Sequence, residues 1–231
     1  MKLKQLVFIA LILGSEPSVA QTTDSLQTGD VPIGGAPIPI EIFAGNKAFT
    51  FQLIVSEQFS PKSRFGFFNV TNFMGDYKKI GQTAEFFSQS ILTAQVWKGI
   101  SVTGGLSAIG SSNSNLITVR PTAGLQYLFA GPDFVIVVLP RLDLTQTYNF
   151  ETFTVLEFKP RLSKNWGIYT RLQGLYNYNT KLDFHEVSSI YLRLGVSFKS
   201  VQFGVGSNHD FYGPNADNVN NFGVFIKTDI F

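Results

Sequence analysis

Two groups of residues in this sequence have types and spacings that could do chemistry. Ser207 and His209 stand two apart, the spacing at which a β-strand puts both side chains on one face. A serine becomes a nucleophile when an imidazole within hydrogen-bond reach takes its proton and a third group orients the ring. Asn208 and Asp210 flank the histidine on the opposite face, so neither is an evident orienter. A Ser and a His at a polar rim is the plainer account, and no enzyme activity is expected. The second group is cationic: Arg120, Arg141, Lys159, Arg161, Arg171 and Arg193, with Glu151 and Glu157 among them. Basic side chains on consecutive strands form a one-sided ladder, which is how an anion pathway is lined. Paired with the glutamates, the same residues instead form a structural network.

Other chemistry is excluded by residue counts. The 231 residues include no cysteine and two histidines. That removes disulfides, thiolate sites and a lipid anchor on cysteine, and leaves no metal site expected. No glycine-rich phosphate loop precedes a helix and no calcium loop is present, so no cofactor is expected. Lys+Arg 18 against Asp+Glu 16 is not the basic footprint of a nucleic-acid binder. His185, in the 179–187 loop beside Glu186, reads as a surface residue. Asn69-Val70-Thr71 matches a glycosylation sequon but falls within a strand and is set aside.

The elements that must carry these residues alternate with period two. Phe49, Phe51, Leu53 and Val55 oppose Thr50, Gln52 and Ser56, with Ile54 as an exception. Val119, Pro121, Ala123, Leu125, Tyr127 and Phe129 oppose Thr118, Arg120, Thr122, Gly124 and Gln126. Phe150, Thr152, Thr154, Leu156 and Phe158 oppose Glu151, Glu157, Lys159 and Arg161. Trp166, Ile168, Thr170, Leu172, Tyr176 and Tyr178 oppose Arg171, Gln173 and Asn177. Ile190, Leu192, Leu194, Val196 and Phe198 oppose Tyr191, Arg193, Ser197 and Lys199. The segment 64–74 fits worst, with Phe on both faces. These strands are longer than the roughly 5–6 residues usual in a soluble sheet. They place charges in mid-strand opposite a large apolar face, and aromatics such as Trp97, Tyr148 and Trp166 gather at their ends. That pattern predicts an all-β, antiparallel, up-and-down barrel crossing a membrane, apolar side outward.

The N-terminus predicts export. Lys2 and Lys4 precede the apolar run Leu6–Leu13, and Ser18-Val19-Ala20 supplies small residues for cleavage before Gln21, the form of a signal peptide. Eight apolar residues are too few for a membrane helix, which needs about 20. Residues 21–37 are an expected irregular periplasmic leader, and 38–231 the barrel. Reading turns backward from the last strand, about 221–231, long links are expected at 209–220, 179–187 and 75–81. Short ones are expected at Lys199-Ser200, Ser163–Asn165, Gly131–Asp133, Lys98-Gly99 and Ser60–Ser63, with intermediate ones at 143–147 and Ser111–Asn115. Eleven strands result. The run Ile38–Ala44, with Ile38, Ile40 and Ile42 alternating, makes twelve, with ten the alternative.

With its signal peptide, long alternating strands and terminal Phe231, the chain resembles bacterial outer-membrane β-barrel proteins. The terminal aromatic looks like the assembly signal of that class, although Phe222, Val224, Ile226 and Ile230 lie out of register with it. The resemblance implies residence in the outer membrane, with its lipid and lipopolysaccharide and the barrel-assembly machinery as partners. The expected function is a narrow passive channel for small, anionic solutes; the alternative is a non-conducting structural or complex-partner barrel. A second alternative is an outer-membrane lipid hydrolase using Ser207 and His209. Lipid hydrolases of that membrane carry His-x-Ser, the reverse of the order here.

Overall fold

A computed structural model describes residues 38–60, 62–78, 85–111 and 116–230. The expected signal peptide, the 21–37 leader, Phe231 and the link tips at 79–81 and 112–115 lie outside the described residues. Twelve strands follow one another: β1 (Ile38–Gly45), β2 (Ala48–Gln58), β3 (Phe65–Asp76), β4 (Glu85–Trp97), β5 (Ile100–Ser111), β6 (Leu116–Ala130), β7 (Phe134–Asp143), β8 (Phe150–Phe158), β9 (Trp166–Asn179), β10 (Phe184–Phe198), β11 (Val201–Tyr212) and β12 (Asp217–Ile230). Each pairs antiparallel with the next. β1 pairs with both β2 and β12, Ile42 lying opposite Phe51 on one side and Ile226 on the other, and so closes the barrel.

Closure satisfies the backbone polar groups that an open sheet would leave at its edges, the condition for crossing a bilayer. The outer face supplies the other condition. Leu92, Val102, Leu106, Val119, Leu125, Leu156, Leu172, Leu194, Val205, Val224 and Ile226 are all exposed on it. This apolar belt circles the molecule, whereas a soluble protein confines such patches to a few hundred Å². Aromatics flank it at both rims. At the rim holding Ile38 and Ile230 (the near rim), Phe134 pairs with Phe158 at 4.5 Å between ring centres and Trp166 with Phe198 at 4.8 Å. At the far rim, Phe49 lies 5.7 Å from Phe73 and 6.2 Å from Tyr77. A closed, even-stranded, apolar-jacketed barrel with two aromatic girdles is the outer-membrane class of β-barrel.

The structure departs from the sequence expectation at three places. The links expected to be long at 209–220 and 179–187 are short turns, 213–216 and 180–183, because β9 to β12 run on into them. Beyond the apolar belt polar residues occur on both faces, with Phe211 outward and Val219 inward among them, so the period-two signal ends while the hydrogen-bonded ladder continues, as in Tyr212 opposite Asp217. Arg161 does not line the lumen; β8 stops at Phe158, and Arg161 lies exposed in the turn that follows. Third, β3 explains its mixed pattern by turning apolar residues inward, Phe68 and Val70, while Asn69 and Thr71 face outward among Ser88 and Ser90.

β10 and β11 come close enough that only glycine fits at one cross-strand pair. Gly195 lies opposite Gly204, and a Cβ on Gly204 would stand 2.2 Å from the Leu194 carbonyl oxygen. Leu194 itself points outward from mid-strand. Leu194→Arg is expected to lower the unfolding free energy of the refolded barrel by about 2–4 kcal/mol, measured by urea titration in lipid vesicles; an unchanged midpoint would mean the faces are assigned the wrong way round.

Candidate functional site

The lumen is crossed by side chains reaching between strands that are not neighbours. Because Ile38, Ile40 and Ile42 point outward, Glu41 must point inward. Its Oε1 accepts from Arg193 Nε at 2.9 Å and Arg171 Nη2 at 3.1 Å. β10, β11 and β12 separate β9 from β1 around the wall, so these pairs span the interior. Arg171 and Arg193 lie directly opposite each other in the β9–β10 ladder, a like-charge pairing that destabilises a sheet unless compensated. Glu41 supplies the compensation. The Arg193 guanidinium also stacks over Phe43, 4.3 Å from the ring centre, and its Nη1 donates to Asn208 Oδ1 at 2.8 Å.

Toward the same side a second carboxylate gathers cations. Glu157 Oε2 accepts from Lys227 Nζ at 2.7 Å and from the Tyr169 hydroxyl at 2.9 Å, while Oε1 lies 3.3 Å from Lys159 Nζ. Gln52 Nε2 donates to Gln173 Oε1 at 3.0 Å, again across the interior. Phe43, Tyr169 and Phe225 form an apolar cluster between these bridges.

Toward the far rim the network continues. Arg141 meets both Asp143 and Glu151, its Nε donating to Glu151 Oε1 at 2.9 Å. Arg120 Nη1 donates to Asp143 Oδ2 at 3.2 Å. Asn177 Nδ2 donates to Glu151 Oε2 at 2.7 Å, and Asn149, from the β7–β8 link, donates to Asn177 and to Glu186. Glu186 turns toward these amides at an irregularity in the β9–β10 ladder. Part of the remaining lumen is apolar: Phe68, Val70 and Ile91 from β3 and β4 meet Val137, Leu139, Phe153 and Val155 from β7 and β8, with Ile54 against them. Ile54, the exception in the β2 alternation, is an interior residue.

The cationic ladder is thus divided. Arg120 and Arg141 share Asp143, Arg171 and Arg193 share Glu41, Lys159 rests on Glu157, and Arg161 stands apart. Glu41 and Tyr169 escaped the sequence reading as partners, although the alternation of β1 and β9 puts both on the inner face.

On the outer face a separate constellation forms. His209 Nε2 lies 3.2 Å from Ser207 Oγ, and His209 Nδ1 lies 2.7 Å from Asn220 Oδ1. Asn220 comes from β12, directly opposite His209 in the ladder. The orienting group absent from the neighbours of His209 in sequence therefore arrives from the next strand. Phe222 sets its ring edge-on to the imidazole, 5.5 Å between centres.

No family model and no curated protein matches the chain. Among solved structures it is similar to the KdgM porin in complex with disordered oligogalacturonate, with 10% identity, 84% of this chain and 99% of that chain covered, and a TM-score of 0.47. The NanC porin gives 11% identity over 84% and 99%, TM-score 0.46. The outer membrane protein OpdK from Pseudomonas aeruginosa gives 11% over 75% and 65%, TM-score 0.37. The likeness is one of barrel form.

Glu41 compensates two buried guanidinium groups with one oxygen. Glu41→Gln keeps the volume but leaves Arg171 and Arg193 facing each other. It is expected to cost about 3–5 kcal/mol, the usual penalty for stranding a buried charge, read by urea unfolding of the refolded protein. Replacing Glu41, Arg171 and Arg193 together by Met is expected to recover most of that loss. A Glu41→Gln variant as stable as its parent would show that these charges are solvated.

Proposed function

We propose that this chain is an outer-membrane barrel with a closed lumen, serving as a membrane-embedded structural or complex-partner protein and not as an open pore. One observation carries the proposal: side chains from opposing walls meet across the interior and bury one another. Arg193 is 1% exposed, and Phe43, Tyr169 and Leu139 are 0% exposed. An ion crossing here would have to displace the Glu41 bridge and then pass the apolar seam around Leu139. Side-chain networks of this kind rigidify a core when their members are paired.

Passage of small anions is a second reading, favoured by the charge count at the constriction. Arg171, Arg193, Lys227 and Lys159 converge on Glu41 and Glu157, and surplus cations in a narrow passage favour the opposite charge.

Planar-bilayer recording of the refolded protein separates the two. Under the proposal the wild type gives no steady conductance, and Arg171→Glu with Arg193→Glu lowers barrel stability without producing a selective current. A steady wild-type current that prefers chloride over potassium, and shifts toward potassium in that double variant, would replace the closed-barrel reading by the anion channel.

A further inference from the structure

We infer that Ser207, His209 and Asn220 form a serine-hydrolase site on the outside of the barrel, acting on carboxylic esters of long acyl chains. The geometry is that of a nucleophile, a base and an orienter. Nδ1 lies 2.7 Å from Asn220 Oδ1, an acceptor, and so favours the tautomer with its proton on Nδ1, which leaves the Nε2 lone pair facing Ser207 Oγ at 3.2 Å. An amide can fill the orienting role that a carboxylate fills elsewhere. All three residues sit on paired strands, β11 and β12, and the Phe222 ring against His209 restricts its rotation. Each side chain remains partly exposed on the outer face.

The position along the barrel identifies the substrate class. Going from the near rim to the far rim, the outward residues of β11 are Val201, Phe203 and Val205, then Ser207 and His209. On β12 they run Ile226, Val224 and Phe222, then Asn220 and Asn218. On β10 they run Leu194, Leu192 and Ile190, then Ser188. The change falls between Val205 and Ser207 on β11, between Phe222 and Asn220 on β12 and between Ile190 and Ser188 on β10. Ser207 therefore lies beside apolar Leu192 and Phe222 while His209 pairs with Asn220, a mixed zone of the kind found between hydrocarbon and the polar interfacial layer. The ester groups of acyl lipids lie at that boundary, with their chains along the apolar belt and their polar ends toward water.

The reaction balances with water as the only co-reactant. Ser207 Oγ bonds to the ester carbonyl carbon as its proton passes to His209 Nε2. The carbon–oxygen bond to the alcohol then breaks, and the alcohol leaves with that proton, giving an acyl-serine. Water, deprotonated by His209, attacks the acyl carbon and releases the fatty acid, and the proton returns to Ser207.

The test uses the full-length protein refolded in detergent micelles, with folding of every variant confirmed by heat-modifiable gel mobility. A fluorophosphonate is expected to label the wild type at one site, mapped by mass spectrometry to Ser207, and a long-chain nitrophenyl ester in mixed micelles is expected to be hydrolysed. Ser207→Ala should abolish both signals, and His209→Gln should lower turnover by about 100-fold or more. Asn220→Ala should lower kcat about 10-fold with KM unchanged, and Asn220→Asp should restore it, a split that a merely structural role would not produce. Ser188→Ala, at the neighbouring serine that contacts His185, should change nothing. Folded wild type that neither takes the label nor turns over the ester overturns the inference, as does hydrolysis that survives Ser207→Ala or depends on Ser188. Because these signals arise on the outer face, their absence would leave the closed-lumen proposal standing.

Discussion

The interior of this barrel depends on how a carboxylate on the first strand is shared by two guanidinium groups from the far side of the wall. Arg171 and Arg193 are cross-strand neighbours and would repel; two unit charges about 4 Å apart at an effective dielectric of 20 interact by about 4 kcal/mol. Glu41 turns that repulsion into a three-body attraction. Because Glu41 stands on β1, the strand that also closes the sheet, the same ion pairs tie the closing strand to the middle of the chain. β1 is short, eight residues, and the bridge adds to its two ladders a tether through the lumen.

Around this bridge the interior divides by chemistry. One part holds Glu41, Glu157 and their cations with the rings of Phe43 and Tyr169; another, toward the far rim, holds Arg141, Asp143, Glu151 and a run of asparagine amides. A third is an aliphatic and aromatic seam between β3–β4 and β7–β8. The narrow wall between those pairs, β5 and β6, turns small and polar residues inward: Thr103, Ser107, Thr122 and Gln126 are buried there. Large side chains from the flanking strands fill the space that these leave. The charged groups of the interior sit against partners on other strands.

The exterior obeys a different constraint. Lipid favours apolar side chains over the hydrocarbon, so most outward positions are apolar there, and the exceptions on β3 and β4, Asn69, Thr71, Ser88 and Ser90, hydrogen-bond to one another. Along their own strands Ser207, Asn220 and Ser188 follow Val205, Phe222 and Ile190, and across strands Ser207 lies opposite Phe222 and His209 opposite Ile190. The strands do not register the change from apolar to polar in their hydrogen bonding. β11 and β12 remain paired to Tyr212 and Asp217, well past the level at which their outward side chains turn polar.

The amino-acid sequence alone determined the strands and their facing wherever lipid met one side and charges the other. Leu192, Leu194 and Val196 outside with Arg193 inside is legible because bilayer and lumen demand opposite chemistry from alternate residues. The same rule made β1 recognisable from three isoleucines. Legibility failed where that contrast lapsed: in β3, where apolar residues serve both faces; beyond the belt, where water meets both; and at Arg161, where alternation outlasted the strand. Only the tertiary structure decided which groups become partners. Glu41 lies 130 residues from Arg171, and Asn220 reaches His209 from the next strand. Such meetings are set by barrel closure and register, which bring together positions that no local spacing relates.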